Sequence, residues 1–234
     1  MKVVILCGGL GSRLSEETKL KPKPMVKIGK KPILVHIMET YKKFGFNDFI
    51  LAGGYKYKFI EKYFQNNKNF NTQVVNTGAK TLTGKRIFKL KKYLKKEKNF
   101  MLTYGDGLTN QNLSKLLNFH LNHKRIATIT AVRPPVRFGE LVLQKNKVKS
   151  FKEKPQAKSG WINGGFFIFK QEIFNFIKNK NVMLEREPLN NLTKSKQLIA
   201  YQHNGFWQCM DTMRDKRFLE NLIKKKSPPW TKVS

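Results

Sequence analysis

Lys2-Val3-Val4-Ile5-Leu6-Cys7-Gly8-Gly9-Leu10-Gly11-Ser12-Arg13-Leu14 is the stretch that decides the fold. Its first half is an unbroken apolar run, the pattern of a strand buried on both faces of a parallel sheet. Its second half turns at once into glycines. Gly8, Gly9 and Gly11 let a backbone with inward-pointing N–H groups approach a phosphate closely, and Arg13 adds a fork of charged donors. The dinucleotide pattern G-x-G-x-x-G fails because Leu14 stands where a small residue is needed, and the P-loop fails for want of Gly-Lys-Ser/Thr. A tight strand-to-helix turn without any ligand is the competing reading of the loop.

Outward from this stretch, strand and helix patterns alternate. A helix is expected from about Pro32, with Ile33, Leu34, Ile37, Met38 and Tyr41 on one face and Gly45 as its stop. Strands are expected at 48–52, 73–76, 100–104 and 126–132, with shorter ones at 140–143, 164–169 and 198–201. Helices are expected around 59–64, 85–96, 112–122, 171–178 and 212–225. This order predicts an α/β fold: a single doubly wound, mostly parallel mixed sheet flanked by helices, as one domain over residues 1–234.

Composition bounds the function. The 234 residues are 40% hydrophobic, enough for a sizeable core. No apolar run approaches the ~20 residues of a membrane span. The first residues lack the long apolar stretch of a secretory signal and read as a strand. With only Cys7 and Cys209 there is no disulfide framework and no zinc spacing, which fits a cytoplasmic protein. Lys and Arg number 47 against 15 acidic residues, a net charge of +32. Such a balance raises nucleic acid as a partner. Yet the lysines of 85–96 fall between Ile87, Leu90 and Leu94 at helical spacing and read as a solvated face. A positive field also favours anionic small substrates. His36, His120, His123 and His203 have no metal-like partners in the sequence and are assigned structural or surface roles.

Ten residues beyond Arg13 lies Lys21-Pro22-Lys23-Pro24-Met25, where two prolines stiffen the backbone and fix where Lys23 points. Asp106 follows a buried strand, between two glycines, and reads either as a turn residue or as a ligand at the carboxyl end of a parallel sheet. Asp211 precedes a predicted helix and reads either as its N-cap or as a second ligand.

Gly-Gly-x-Gly-x-Arg followed by Pro-Lys-Pro-Met resembles the start of the sugar nucleotidylyltransferase superfamily. Tyr104-Gly105-Asp106-Gly107, Phe151-Lys152-Glu153-Lys154-Pro155, Ile162-Asn163-Gly164-Gly165-Phe166-Phe167 and Phe206-Trp207-Gln208-Cys209-Met210-Asp211-Thr212 resemble its glucose-1-phosphate cytidylyltransferase family. So do Thr77-Gly78, Thr81, Thr83, Gly84 and Arg86, and the match runs in order from Met1 to about Trp230. The resemblance implies a Rossmann-like nucleotidyltransferase fold and Mg²⁺-dependent transfer of CMP from CTP to a sugar 1-phosphate. The product would be CDP-glucose, a nucleotide sugar of the kind used for lipopolysaccharide O-antigen. It implies that Leu6, Cys7, Gly8, Gly9, Leu10, Gly11, Ser12 and Arg13 wrap the nucleotide, with Lys23 on its phosphates and Thr81, Arg86 and Gly105 completing the pocket. Lys23, Arg13 and Asp106 would carry the catalytic charge, and Asp106 and Asp211 would hold the metal. Glu153, Lys154, Asn163 and Gly164 would take the sugar phosphate. GTP, UTP or dTTP in place of CTP, or a basic nucleic-acid-binding protein without catalysis, are the alternatives.

Three departures stand out. Cys7 replaces the family's usual alanine and Ser12 its usual threonine. The segment between Tyr63-Phe64 and Thr77-Gly78 is short where the glucose-type members carry an insertion used in subunit contacts, which points to a homo-oligomer no larger than a dimer. Two readings of the thiols stand: basic neighbours Arg13 and Lys23 lower their pKa and raise reactivity, or, the favoured one, Cys7 and Cys209 are buried core residues and inert.

Overall fold

The structure, a computed structural model, describes residues 1–134, 140–152 and 160–232. Val3–Cys7 (β1) is buried at every position, as the apolar run requires of a central strand. Ile33–Lys42 (α1) buries the predicted face of Ile33, Leu34, Ile37, Met38 and Tyr41. Pro32 is not its first helical residue but its N-cap, in extended backbone (φ −56°, ψ 148°) and paired with Lys27 in a short two-stranded ladder. Asp48–Gly53 (β2), Tyr57–Gln65 (α2) and Asn71–Asn76 (β3) follow. Next come Thr83–Lys89 (α3), Asn99–Tyr104 (β4), Gly107–Thr109 (β5), Leu113–His123 (α4) and Ala127–Val132 (β6). The chain ends with Ile162–Lys170 (β7), Glu187–Lys194 (α5), Leu198–His203 (β8), Trp207–Cys209 (β9) and Met213–Lys224 (α6).

The main sheet has seven strands in the order β8-β6-β7-β4-β1-β2-β3. β1 runs parallel to β2 and β4, β2 to β3, and β6 to β8, while β7 is antiparallel to both its neighbours. The sheet is therefore mixed and mostly parallel. Alternate residues of β1 serve opposite faces. Val3, Ile5 and Cys7 pack with α1, α2 and Leu113 of α4, whereas Val4 and Leu6 pack with Ile87, Leu90, Leu94 and Phe167. Fully burying one such large apolar side chain stabilises by ~1.5–3 kcal/mol, so the two faces together hold β1 at the centre. The chain lays β2 and β3 on one side of β1 and then crosses to β4 on the other. Ligands bind outside the carboxyl ends of strands at such a reversal, and here those ends meet in the register Leu6↔Tyr104.

Some expected elements change. The basic helix of 85–96 is two pieces, Thr83–Lys89 and Lys91–Leu94, because i→i+3 hydrogen bonds at Leu90 and Tyr93 tighten the turn between them. Ile87, Leu90 and Leu94 are fully buried while Lys89, Lys91, Lys92, Lys95 and Lys96 are exposed. The helix expected at 171–178 is only Ile173–Phe176, since Ile177 leaves helical backbone (φ −93°, ψ 82°). The strand expected at 140–143 is half of a separate hairpin, Glu140–Gln144 with Lys147–Lys152.

His120 is fully buried on α4, with Nδ1 2.7 Å from Thr128 Oγ1 and Nε2 3.1 Å from Asn99 Oδ1. Burial, then the neighbouring His123 and Lys170, lowers its pKa to about 4. Its folded pKa lies below the unfolded value, so the unfolded chain binds the extra proton. The stability linked to neutral His120 is complete above the ordinary histidine range and is lost as pH falls through it toward 4. Denaturant unfolding between pH 7 and 4 is expected to show this slope, and His120→Gln to flatten it; an unchanged slope would refute the assignment.

Candidate functional site

Four charged side chains meet at the crevice. Lys23 Nζ lies 2.5 Å from Asp106 Oδ2 and 2.5 Å from Asp211 Oδ1. Arg13 Nη1 lies 2.9 Å from Asp211 Oδ2. Lys23 is aimed by its backbone. Pro22 is extended and leads into a single 3₁₀ turn, Lys23–Met25, whose Pro24 and Met25 are buried. Asp106 sits in the turn between β4 and β5, and its carbonyl accepts the N–H of Met210 at 2.9 Å, which ties the two aspartate-bearing segments together. β5 and β9 pair antiparallel beside them, Gly107 opposite Cys209.

The helix after Asp211 resolves the ambiguity at that position. Thr212 caps α6 in a capping box, its side chain accepting the N–H of Asp215 while the Asp215 carboxylate accepts the N–H of Thr212. Asp211 is therefore not the cap, and its carboxylate goes to Lys23 and Arg13. Burial alone would raise its pKa, but the hydrogen bond and charge of Lys23 and the charge of Arg13 hold it below the ordinary carboxylate value. Burial likewise opposes the charge on Lys23, and Asp106 and Asp211 outweigh it, holding the ammonium above its ordinary value. Lys23 and Asp211 are thus both charged at neutral pH.

Beside this cluster opens a cavity of about 520 Å³, a size that suits a small-molecule ligand. Every residue from Leu6 to Arg13 lines it, together with Lys23, Thr81, Arg86, Gly105 and Asp106. These are the residues expected from the sequence on the nucleotide side. Arg86, however, spends its guanidinium on the protein: it donates to Gly53 O at 2.8 Å, Thr81 O at 2.7 Å, Gly8 O at 3.3 Å and the Thr77 hydroxyl. A Cβ on Gly8 would stand 2.0 Å from Arg86 Nη1, so the glycine there is what admits the arginine under the loop. Arg86 braces the pocket floor.

Asn163 and Gly164, expected on the sugar phosphate, are not among the residues that line this cavity; Asn163 reaches it through Tyr104, donating to that lining residue's hydroxyl at 3.2 Å, and accepts the N–H of Gly165 at 2.8 Å. The register of β7 against β6 shifts between Asn163 and Phe167, a bulge of the kind that re-aims side chains beside active sites. Gly165 takes φ 77° in it, and a Cβ there would meet Tyr104 Cδ2 at 2.5 Å. Gly164 O accepts the Trp207 indole N–H at 2.7 Å. Glu153 and Lys154 lie outside the described residues. Sequence reasoning overlooked Glu185, whose carboxylate accepts hydroxyl hydrogen bonds from Thr83 and Tyr104. Only 15 residues of the chain are acidic, and that scarcity was a usable signal.

The structure supports the inert reading of the two thiols and not the reactive one. Burial drives the Cys7 thiol far above its ordinary pKa, with Arg86 opposing only in part. Cys209 is pushed up to about 12 by burial and by Asp211, Asp106 and Asp215. Near these sulfurs the carboxylates and the loss of water outweigh the basic residues, so neither thiol is poised to react.

A doubly wound sheet with a glycine loop and clustered charges at its switch point defines a nucleotide-handling transferase, and the chain belongs to the nucleotidyl transferase family, whose family model matches residues 2–213. Within that family its similarity is to the glucose-1-phosphate cytidylyltransferases. It is 43% identical to the glucose-1-phosphate cytidylyltransferase of Salmonella typhi over 98% of both chains. It is 31% identical to the mannose-1-phosphate guanylyltransferase catalytic subunit beta of Xenopus tropicalis over 100% of this chain and 68% of that one. The structure of HddC from Yersinia pseudotuberculosis complexed with GMP-PN superposes with a TM-score of 0.75 at 26% identity, over 95% of this chain and 99% of that one. The Salmonella typhi alignment spans 253 positions, more than the 234 residues of this chain, so that relative carries residues absent here. Among the described residues no helix is long and apolar enough to cross a membrane.

Proposed function

We propose that the chain, as one domain over residues 1–234, transfers CMP from CTP to α-D-glucose 1-phosphate, giving CDP-glucose and pyrophosphate. The observation that carries this reading is the meeting of Lys23, Asp106 and Asp211 beside a cavity lined by the loop Leu6–Arg13. The reaction is an in-line attack by a sugar phosphate oxygen on the α-phosphorus of the nucleotide. It asks the protein for alignment and charge rather than for a covalent intermediate. The backbone of Gly8–Gly11 holds the phosphates, Lys23 and Arg13 counter their charge, and Asn163 and Gly164 seat the sugar phosphate with Glu153 and Lys154. Arg86 keeps the loop in shape from beneath.

Asp106 and Asp211 would hold Mg²⁺. Two carboxylates drawn onto one cationic nitrogen are a donor set that suits a hard divalent ion. No group of three or more His, Cys, Asp or Glu stands ready among the described residues, so phosphates and water would complete the shell. The chemistry that such an ion would supply there is neutralisation of phosphate charge. We place the protein in the cytoplasm. Between α2 and β3 only residues 66–70 intervene, which supports an assembly no larger than a dimer.

A second reading, with GTP as donor, draws on the HddC complex and the guanylyltransferase relatives. A nucleotide panel decides between them. With Mg²⁺ and glucose 1-phosphate, pyrophosphate release is expected to be much faster from CTP than from UTP, GTP, ATP or dTTP. Equal or faster turnover with another nucleotide would replace the cytidylyl assignment. No turnover with any would favour the non-catalytic, nucleic-acid-binding alternative that the net charge of +32 raises.

A further inference from the structure

Glu185 has no part in the roles assigned above, yet both its oxygens are engaged by hydroxyls of residues that line the cavity, Thr83 and Tyr104. Oε2 accepts the Thr83 hydroxyl at 2.6 Å, at the first residue of α3 on the nucleotide side. Thr83 Oγ1 in turn accepts the N–H of Leu184 at 2.8 Å. Oε1 accepts the hydroxyl of Tyr104, the last residue of β4, which also receives a hydrogen bond from Asn163.

The directions of these bonds are forced. A carboxylate can only accept, and a phenol has one proton. Tyr104 therefore points its proton to Glu185 and its lone pairs to Asn163. Asn163 must then turn Nδ2 toward Tyr104 and Oδ1 toward the Gly165 N–H. One amide N–H and one carbonyl lone pair of Asn163 are left in a fixed arrangement. Gly165 holds the amide from its other end; without the carboxylate the phenol proton is free to turn toward Nδ2, donor against donor, and the Tyr104–Asn163 bond that holds the side chain in place is lost.

We propose that Glu185 is a positioning residue that, through Tyr104, fixes the amide of Asn163 and thereby the donor and acceptor pattern presented to the hydroxyls of the sugar phosphate. The proposal rests on the reading that Asn163, joined to the cavity through Tyr104, takes the sugar 1-phosphate. A site built on fixed donors and acceptors discriminates between sugars more sharply than an apolar wall does.

The experiment compares the wild type with Glu185→Leu, Glu185→Gln, Tyr104→Phe and the Glu185→Leu/Tyr104→Phe double variant, varying CTP and glucose 1-phosphate separately. The expected result is a KM for glucose 1-phosphate raised by about tenfold in Glu185→Leu, the scale of one buried group left without its partner. The KM for CTP should stay near the wild-type value. Tyr104→Phe should match Glu185→Leu, and the double variant should be no worse than either single one. Glu185→Gln should restore most of the affinity, because its carbonyl can accept from Tyr104 while its amide donates to Thr83. Discrimination against mannose 1-phosphate and galactose 1-phosphate should fall in Glu185→Leu and return in Glu185→Gln. Equal rises in both KM values, or multiplicative effects in the double variant, would overturn the proposal. If Glu185→Leu does not fold, Tyr104→Phe decides by the same split between the two substrates. A wild type inactive with every sugar 1-phosphate would instead overturn the functional reading.

Discussion

Lys23→Ala is expected to lower turnover by about 10²–10³-fold, the usual cost of removing one preorganised stabiliser of transition-state charge. Lys21→Ala, two residues away, should be nearly silent. The structure explains the contrast: Lys21 pairs with Glu17 at 3.0 Å, whereas Lys23 is shared between Asp106 and Asp211. Steady-state pyrophosphate release from both variants, with circular dichroism to check folding, makes the comparison. A sensitive Lys21 and an insensitive Lys23 would mean that the Pro-rich turn has been assigned the wrong side chain. The pH dependence has two edges. The raised pKa of Lys23 makes its contribution to stability present at neutral pH and lost as pH rises through the raised value. The lowered pKa of Asp211 makes its contribution present above the ordinary carboxylate range and lost as pH falls through the lowered value.

Asp106→Asn and Asp211→Asn should each cost turnover on the same scale of about 10²–10³-fold, because each removes a negative oxygen pair from the place where a cation must sit. Any loss of thermal stability should come from Lys23 losing a counter-charge and not from helix α6. For Asp211 this is a specific expectation. Helix α6 is capped by Thr212 and Asp215, so an asparagine at 211 leaves the cap untouched. Thr212→Ala should show the reverse, a loss of about 1 kcal/mol of stability with much smaller kinetic change. A folded Asp211→Asn variant with near-normal turnover would remove that residue from the proposed metal site.

The centre of the fold was legible because its signals are local. Val3–Cys7 is apolar at every position, and only a strand covered on both faces tolerates that. The glycine loop follows immediately, so its place at the carboxyl end of a central strand required only the β-α alternation. The residues that line the cavity were legible through motif resemblance. What escaped was set by contacts between distant segments. Nothing near Arg86 says that its guanidinium turns inward to Gly8 and Gly53, and nothing near Glu185 announces Tyr104 and Thr83. Asp211 could not be told from a helix cap until Thr212 was seen to do the capping. Helix α5 and the short strands β5 and β9 were missed because eight and three residues carry little periodic pattern. The antiparallel course of β7 was invisible for a similar reason, since a buried strand reads the same in either direction.

The triple contact of Lys23 with Asp106 and Asp211 also sets a timetable for biosynthesis. Its members are separated by 83 and 188 residues, so the lysine emerges from the ribosome long before its second carboxylate. Pairings this distant form late, after the cost of closing the intervening chain has been met. A chain cut short of Asp211 would also lack α6 and the buried Leu219 and Trp230. The ion cluster therefore cannot form before the segment that carries Asp211 has emerged, and chains that stop short of it would be inert rather than partly active.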